Sequence, residues 1–148
     1  MSHLVAYIDG SSRSNSSASG IGVVIEDASG RRVAIAERVP SGDNNYAEYA
    51  ALLAALNYAA ASGCRRLQVF SDSEVVVRQI TGHYQCRSRG LRQIYESCKS
   101  VIEGFEHFAI THIRREHNSD ANQLAHAAVE RREPSLSAAF SATEVAGY

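Results

Sequence analysis

Asp43-Asn44-Asn45-Tyr46-Ala47-Glu48 opens a long apolar pattern in which Tyr49, Leu52, Leu53, Leu56, Ala59 and Ala60 recur at helical spacing as far as Ala61. A short polar residue, Asp43 or Asn44, is placed to cap the first turn. The stretch reads as one helix buried along one face. Glu48 falls in its first turn, on or beside the face of Leu52 and Leu56, so its carboxylate is directed at whatever the helix packs on. A carboxylate aimed at a core is costly unless a metal ion, a hydrogen-bond network or an Arg partner compensates it. A solvated first-turn Glu, favoured by the helix dipole, is the alternative taken alone. The flanking segments decide between the two.

Upstream, Leu4-Val5-Ala6-Tyr7-Ile8 is a short run of strand formers stopped by Asp9-Gly10-Ser11-Ser12. After a polar loop from Arg13 to Ser19, Gly20 to Ile25 reads as a second strand, Asp27-Ala28-Ser29-Gly30 as a tight connection, and Arg32 to Val39 as a third strand. Short loops between three strands imply an antiparallel meander. Downstream, Gly63 stops the helix and Leu67-Gln68-Val69-Phe70 forms a fourth strand that runs into Ser71-Asp72-Ser73. A short helix from Glu74 closes at Gly82, and Leu91, Ile94, Tyr95, Cys98, Val101, Ile102 and Phe105 keep a helical period. Phe108, Ile110 and His112 alternate in a fifth strand as packed residues, and Asn118 caps a last helix with the stripe Ala121, Leu124, Ala125 and Ala128. The pattern fails from Glu133, so residues 1–132 are read as one domain and 133–148 as a C-terminal tail.

A chain of 148 residues that is 45% apolar is long enough for one core without staples. The formal net charge of -1 leaves no bulk electrostatic footprint from which a partner could be named. Arg78, Arg87, Arg89 and Arg92 fall in an acid-free window between Glu74 and Glu96, either a local basic lobe or a solvated face. Cys64, Cys86 and Cys98 show no CxxC spacing and read as reduced thiols of an intracellular protein. The segment from Met1 to Val5 has no charged leader or apolar run, which implies neither export nor a membrane and points to the cytoplasm.

Strand four reaches the sheet through a helical crossover, which favours parallel pairing by a right-handed connection. If strand one is its partner, Asp9 and Asp72 lie side by side at the carboxyl ends of adjacent parallel strands, where such sheets place ligands. The central helix can offer Glu48 to the same spot. Three clustered carboxylates cannot all stay ionised without a cation. Oxygen-only donors suit magnesium, with manganese an alternative, and such sites commonly hold two ions and run in-line displacement at phosphorus.

Tyr7-Ile8-Asp9-Gly10 with Gly20-Ile21-Gly22, Asn44-Asn45 with Ala47-Glu48-Tyr49, Ser71-Asp72-Ser73 with Val76 and Gln79, and Asn118 with Ala121, Leu124 and Ala125 resemble type 1 ribonuclease H in order and spacing over Leu4 to Glu130. Gly82-His83-Tyr84 leading straight to the Leu91 helix is similar to the compact bacterial and archaeal branch, which lacks a basic protrusion. The resemblance implies an α/β ribonuclease H-like fold. Its five-stranded mixed sheet would join a meander of strands one to three to strands four and five by helical crossovers, with helices on both faces. It further implies endonucleolytic hydrolysis of the RNA strand of RNA–DNA hybrids by a monomer, with two Mg2+ ions (or Mn2+) and no obligate protein partner.

Carried over residue by residue, the resemblance assigns Asp9, Glu48, Asp72 and Asn122 to the metal site, with His117 as the basic group that assists proton transfer or product release. Asn122 stands where the family has Asp; its amide can lend a carbonyl oxygen but brings no charge. Weaker binding of the second ion is therefore expected, and the alternative function is a catalytically weakened or inactive hybrid- or RNA-binding module of the same fold. Gly10, Ser11, Asn15, Asn44, Asn45 and Ser73 are the expected contacts to the hybrid, whose 2′-hydroxyls call for short amide, hydroxyl and main-chain partners. Asp43 replaces a family Thr that approaches a DNA phosphate, so it is compatible with a hybrid only if it is turned into capping.

Overall fold

The computed structural model describes residues 3–12 and 17–130; Asn15 and the 133–148 tail lie outside them. Strands β1 (His3–Ser12), β2 (Ser19–Asp27) and β3 (Arg32–Val39) precede helix α1 (Asn44–Ala61), strand β4 (Arg66–Ser71), helices α2 (Glu74–Ile80) and α3 (Arg89–Ile102), strand β5 (His107–His112) and helix α4 (Ser119–Glu130). The sheet order is β3-β2-β1-β4-β5. β1, β2 and β3 pair antiparallel, while β4 is parallel to both β1 and β5. The expected meander and crossovers are therefore the observed ones, and eight residues, 81–88, join α2 to α3 with no protrusion between them.

β1 runs further than its apolar residues suggest. Asp9, Gly10, Ser11 and Ser12 pair with Gly22, Ile21, Gly20 and Ser19 of β2, so the ladder carries a stretch of poor strand formers to Ser12. The alternation of β1 sends Leu4, Ala6 and Ile8 into the larger core under α1, α2 and α3, where Leu52, Leu56, Val69 and Val76 meet them. Tyr7 faces the other side, beside the smaller core of Val24, Ala36 and Leu124 under α4. Helices thus cover both faces.

Two close approaches bring helices to the sheet. A Cβ on Gly22 would lie 2.1 Å from the Ala121 carbonyl oxygen of α4, and one on Gly10 would lie 2.5 Å from the Glu48 amide nitrogen of α1. Only glycine admits both contacts. At the start of α1, Asp43 is the cap: its carboxylate accepts from the Asn45 N–H (2.8 Å) and the Tyr46 N–H (3.1 Å).

The structure corrects two expectations. His112 is exposed rather than packed, because β5 is the edge strand and His112 is its last residue. Asn118 does precede α4, but its side chain turns to the sheet instead of capping the helix; only its backbone carbonyl accepts the Asn122 N–H (3.1 Å). Of the four arginines of the acid-free window, two are paired with acids. Arg78 pairs with Glu74 (2.8 Å) and Arg92 with Glu96 (3.2 Å), so the two acids that bound the window reach back one helical turn into it.

Candidate active site

Ile8 of β1 is in parallel register with Ser71 of β4, so the next residues, Asp9 and Asp72, emerge side by side at the carboxyl end of the sheet. Glu48 arrives from α1, drawn in where Gly10 lets the helix approach; the Gly10 N–H donates to Glu48 Oε1 (3.0 Å). Asp9, Glu48 and Asp72 each present a carboxylate oxygen, all within 4.8 Å of one another. Asp9 and Glu48 are buried and Asp72 is half-buried.

Burial is the main cause that pushes the Asp9 carboxyl up to about 7, with the Asp72 charge next and the Asn122 amide pulling the other way. Burial likewise pushes Glu48 up to about 9, helped by the charges of Asp9 and Asp72 and opposed by the Gly10 N–H. The cluster therefore does not carry its full negative charge unaided. A hard divalent cation fits this donor set, since it matches the oxygen ligands and supplies the compensation that burial denies them.

Asn122 joins the cluster as expected of its position, with its Nδ2 donating to Asp9 Oδ2 (2.8 Å). This orientation leaves its carbonyl oxygen for another partner. His117 lines a polar recess of about 260 Å³ with Tyr7, Glu26, Arg32 and Asp120. The basic side chain whose charge bears on both Asp9 and Glu48 is Arg115, two residues earlier. The sequence pattern assigns Arg115 no role. Its signal lay in the short 3-10 turn Arg115–His117, which sends side chains two residues apart in different directions.

Of the expected hybrid contacts, Asn44 is exposed and Asn45 half-buried at the start of α1. Asn44 Oδ1 accepts from the Ser12 hydroxyl (3.2 Å), leaving its amide N–H groups directed elsewhere. The Ser73 hydroxyl caps α2 by accepting from the Val76 N–H (3.3 Å). Ser11 is buried, its hydroxyl 3.3 Å from His126 Nδ1. Gly10 is committed to Glu48 through its N–H.

Residues 7–128 match the family model described as reverse transcriptase-like. The ribonuclease HI of Halobacterium salinarum is 35% identical over 84% of this chain and 63% of its own length. The bifunctional protein Rv2228c of Mycobacterium tuberculosis is 29% identical over 91% of this chain and 38% of its own length, so the chain spans under two thirds of either curated relative. Among solved structures, the Halobacterium salinarum RNase H1 aligns at TM-score 0.81 with 33% identity, covering 86% of this chain and 98% of that one. LC11-RNase H1, solved in complex with an RNA/DNA hybrid, aligns at TM-score 0.78 with 30% identity, covering 86% of this chain and 96% of that one. With two carboxylates at adjacent strand ends, a third from α1 and these likenesses over most of its length, the chain belongs to the reverse transcriptase-like family and, within it, to the type 1 ribonucleases H.

Proposed function

We propose that this chain is an endonuclease that hydrolyses the RNA strand of RNA–DNA hybrids with divalent cations, magnesium first and manganese as the alternative. The observation that carries the reading is the trio Asp9, Glu48 and Asp72, drawn from two parallel strand ends and a helix to within 4.8 Å. These three would hold the ions, with Asn122 adding its carbonyl oxygen. The ions, when bound, supply Lewis acidity toward the phosphoryl oxygens and lower the pKa of bound water.

The chain's own residues do the rest. Gly10 and Asn122 hold Glu48 and Asp9 in place by hydrogen bonds of 3.0 and 2.8 Å, so little reorganisation is left for the moment of reaction. Arg115 offsets negative charge beside the cluster, and His117, two residues on, is the proposed basic group for proton transfer or product release. Asn44 and Asn45 present amides to the minor groove, with Asn15, Gly10, Ser11 and Ser73 completing the proposed contact set. A relative solved with an RNA/DNA hybrid supports this substrate class.

A monomer acting in the cytoplasm completes the reading. Support comes from the buried thiols of Cys64, Cys86 and Cys98, which suit a reducing compartment. Among the described residues no helix is long and apolar enough to cross a membrane.

A second reading has a specific observation in its favour. Asn122 brings an amide, not a charge, to Asp9, so the chain could hold hybrids while cutting them slowly. Labelled hybrid, duplex RNA and duplex DNA, each incubated with magnesium, manganese or chelator, separate the two. The nuclease reading expects the RNA strand of the hybrid alone to be cut, and only with metal. Hybrid retained on the protein without cleavage under any metal condition would favour the binding module instead.

A further inference from the structure

We infer that Asn118 is a positioning residue that fixes Asp72 to the Asp9-bearing strand before any cation binds. The inference rests on the cation-dependent reading above. Asn118 lies between the 3-10 turn and α4 and is 2% exposed. Its Nδ2 donates to the Ile8 carbonyl oxygen (2.8 Å), the peptide that leads into Asp9, and to Asp72 Oδ2 (3.2 Å). Its backbone carbonyl accepts the Asn122 N–H, so the first turn of α4 is anchored on the same residue. One turn further, Asn122 donates to Asp9 Oδ2. Two amides a helical turn apart therefore grip the two aspartates of neighbouring strands, one oxygen each.

The chemistry of the pair suits that task. Asp9 and Asp72 repel each other when ionised, and donors fixed on the other side of each carboxylate oppose their swinging apart. An amide does this without a positive charge that would compete with the incoming cation. The remaining atom of the side chain, Asn118 Oδ1, is buried without a hydrogen-bond partner. A residue present only to start α4 would avoid that cost, since serine could precede the helix without burying an unpaired carbonyl. The amide is explained by its two donated bonds, and through them by Asp72.

Calorimetric titration of the whole chain with Mn2+ alone, without nucleic acid, tests this. The comparison is wild type, Asn118→Ala and Val129→Ala, the last loosening the buried far end of α4 without touching either amide. Asn118→Ala is expected to weaken Mn2+ binding by on the order of 10- to 100-fold, as loss of a partner that orients a ligand does. Val129→Ala should melt earlier yet bind Mn2+ as wild type does. Should the alanine variant not fold, Asn118→Ser takes its place, with a hydroxyl too short to hold both partners and the same expected loss. Equal Mn2+ affinity in wild type and the Asn118 variant would overturn the inference while leaving the cation reading intact. Equal weakening in the Asn118 and Val129 variants would overturn it too, by making the effect one of stability. Absence of Mn2+ binding in wild type would instead overturn the cation reading, and the positioning role with it.

Discussion

Glu48 and Asp9 show what it costs to bury carboxylates side by side. Both carboxyls sit above the ordinary carboxylate range, at about 9 and about 7, chiefly because they are buried. The folded chain therefore retains protons that the unfolded chain has released, and the sign of the linkage follows. Raised folded values contribute stability that is full below the unfolded value near pH 4 and is lost as pH rises through the folded values. In chelator, the melting temperature should fall between about pH 5 and about pH 9, and saturating magnesium should flatten the profile. Glu48→Gln, which cannot ionise, should remove the alkaline part of the slope. Melting curves across that range, with and without metal, check it; a flat profile in chelator would contradict the burial of these two charges.

At the scale of elements, the same few contacts set both stability and site geometry. Asp43 accepts two N–H groups at the start of α1, so Asp43→Ala should cost about 1 kcal/mol, the usual worth of such a cap. Because that carboxylate is turned into capping, the substitution should not weaken hybrid binding, which a denaturant melt paired with a binding titration would show. Gly22→Ala is harsher: its Cβ would lie 2.1 Å from the Ala121 carbonyl oxygen, and backbone cannot yield as a flexible side chain would. A loss of about 1–3 kcal/mol or more is expected, with Asn122 displaced from Asp9 as α4 moves out. Urea unfolding and Mn2+ affinity of this variant should fall together.

These elements also show what sequence makes legible. The helix of Leu52 and Leu56 and the strands of β-branched residues announce themselves by period. The extension of β1 through Gly10 and Ser12 does not, because it depends on the partner strand and not on propensity. His112 was misread because alternation marks a face, whereas exposure depends on whether anything covers the end of an edge strand.

For the whole molecule, the convergence of Asp9 and Asp72 was legible because a single topological rule, parallel pairing through a helical crossover, makes adjacent strand ends meet. Glu48 followed from its place in the helix. The finer support was not legible: the bonds of Asn118 to Ile8 and Asp72, and the charge that Arg115 brings to bear on Asp9, depend on how a short turn is folded against the sheet. At the site itself the neutral Asn122 sits beside three carboxylates. A fourth charge there should recruit cation better and destabilise the metal-free fold, since only bound cation offsets the added repulsion. The most direct measurement is the initial rate of cutting of a labelled RNA–DNA hybrid against magnesium concentration, for wild type, Asp72→Asn and Asn122→Asp side by side. The predicted result is metal-dependent cutting by wild type, none by Asp72→Asn, and faster cutting with a lower half-maximal magnesium concentration in Asn122→Asp; cutting by Asp72→Asn at the wild-type rate, or cutting that persists in chelator, would contradict the carboxylate cluster as the seat of the reaction.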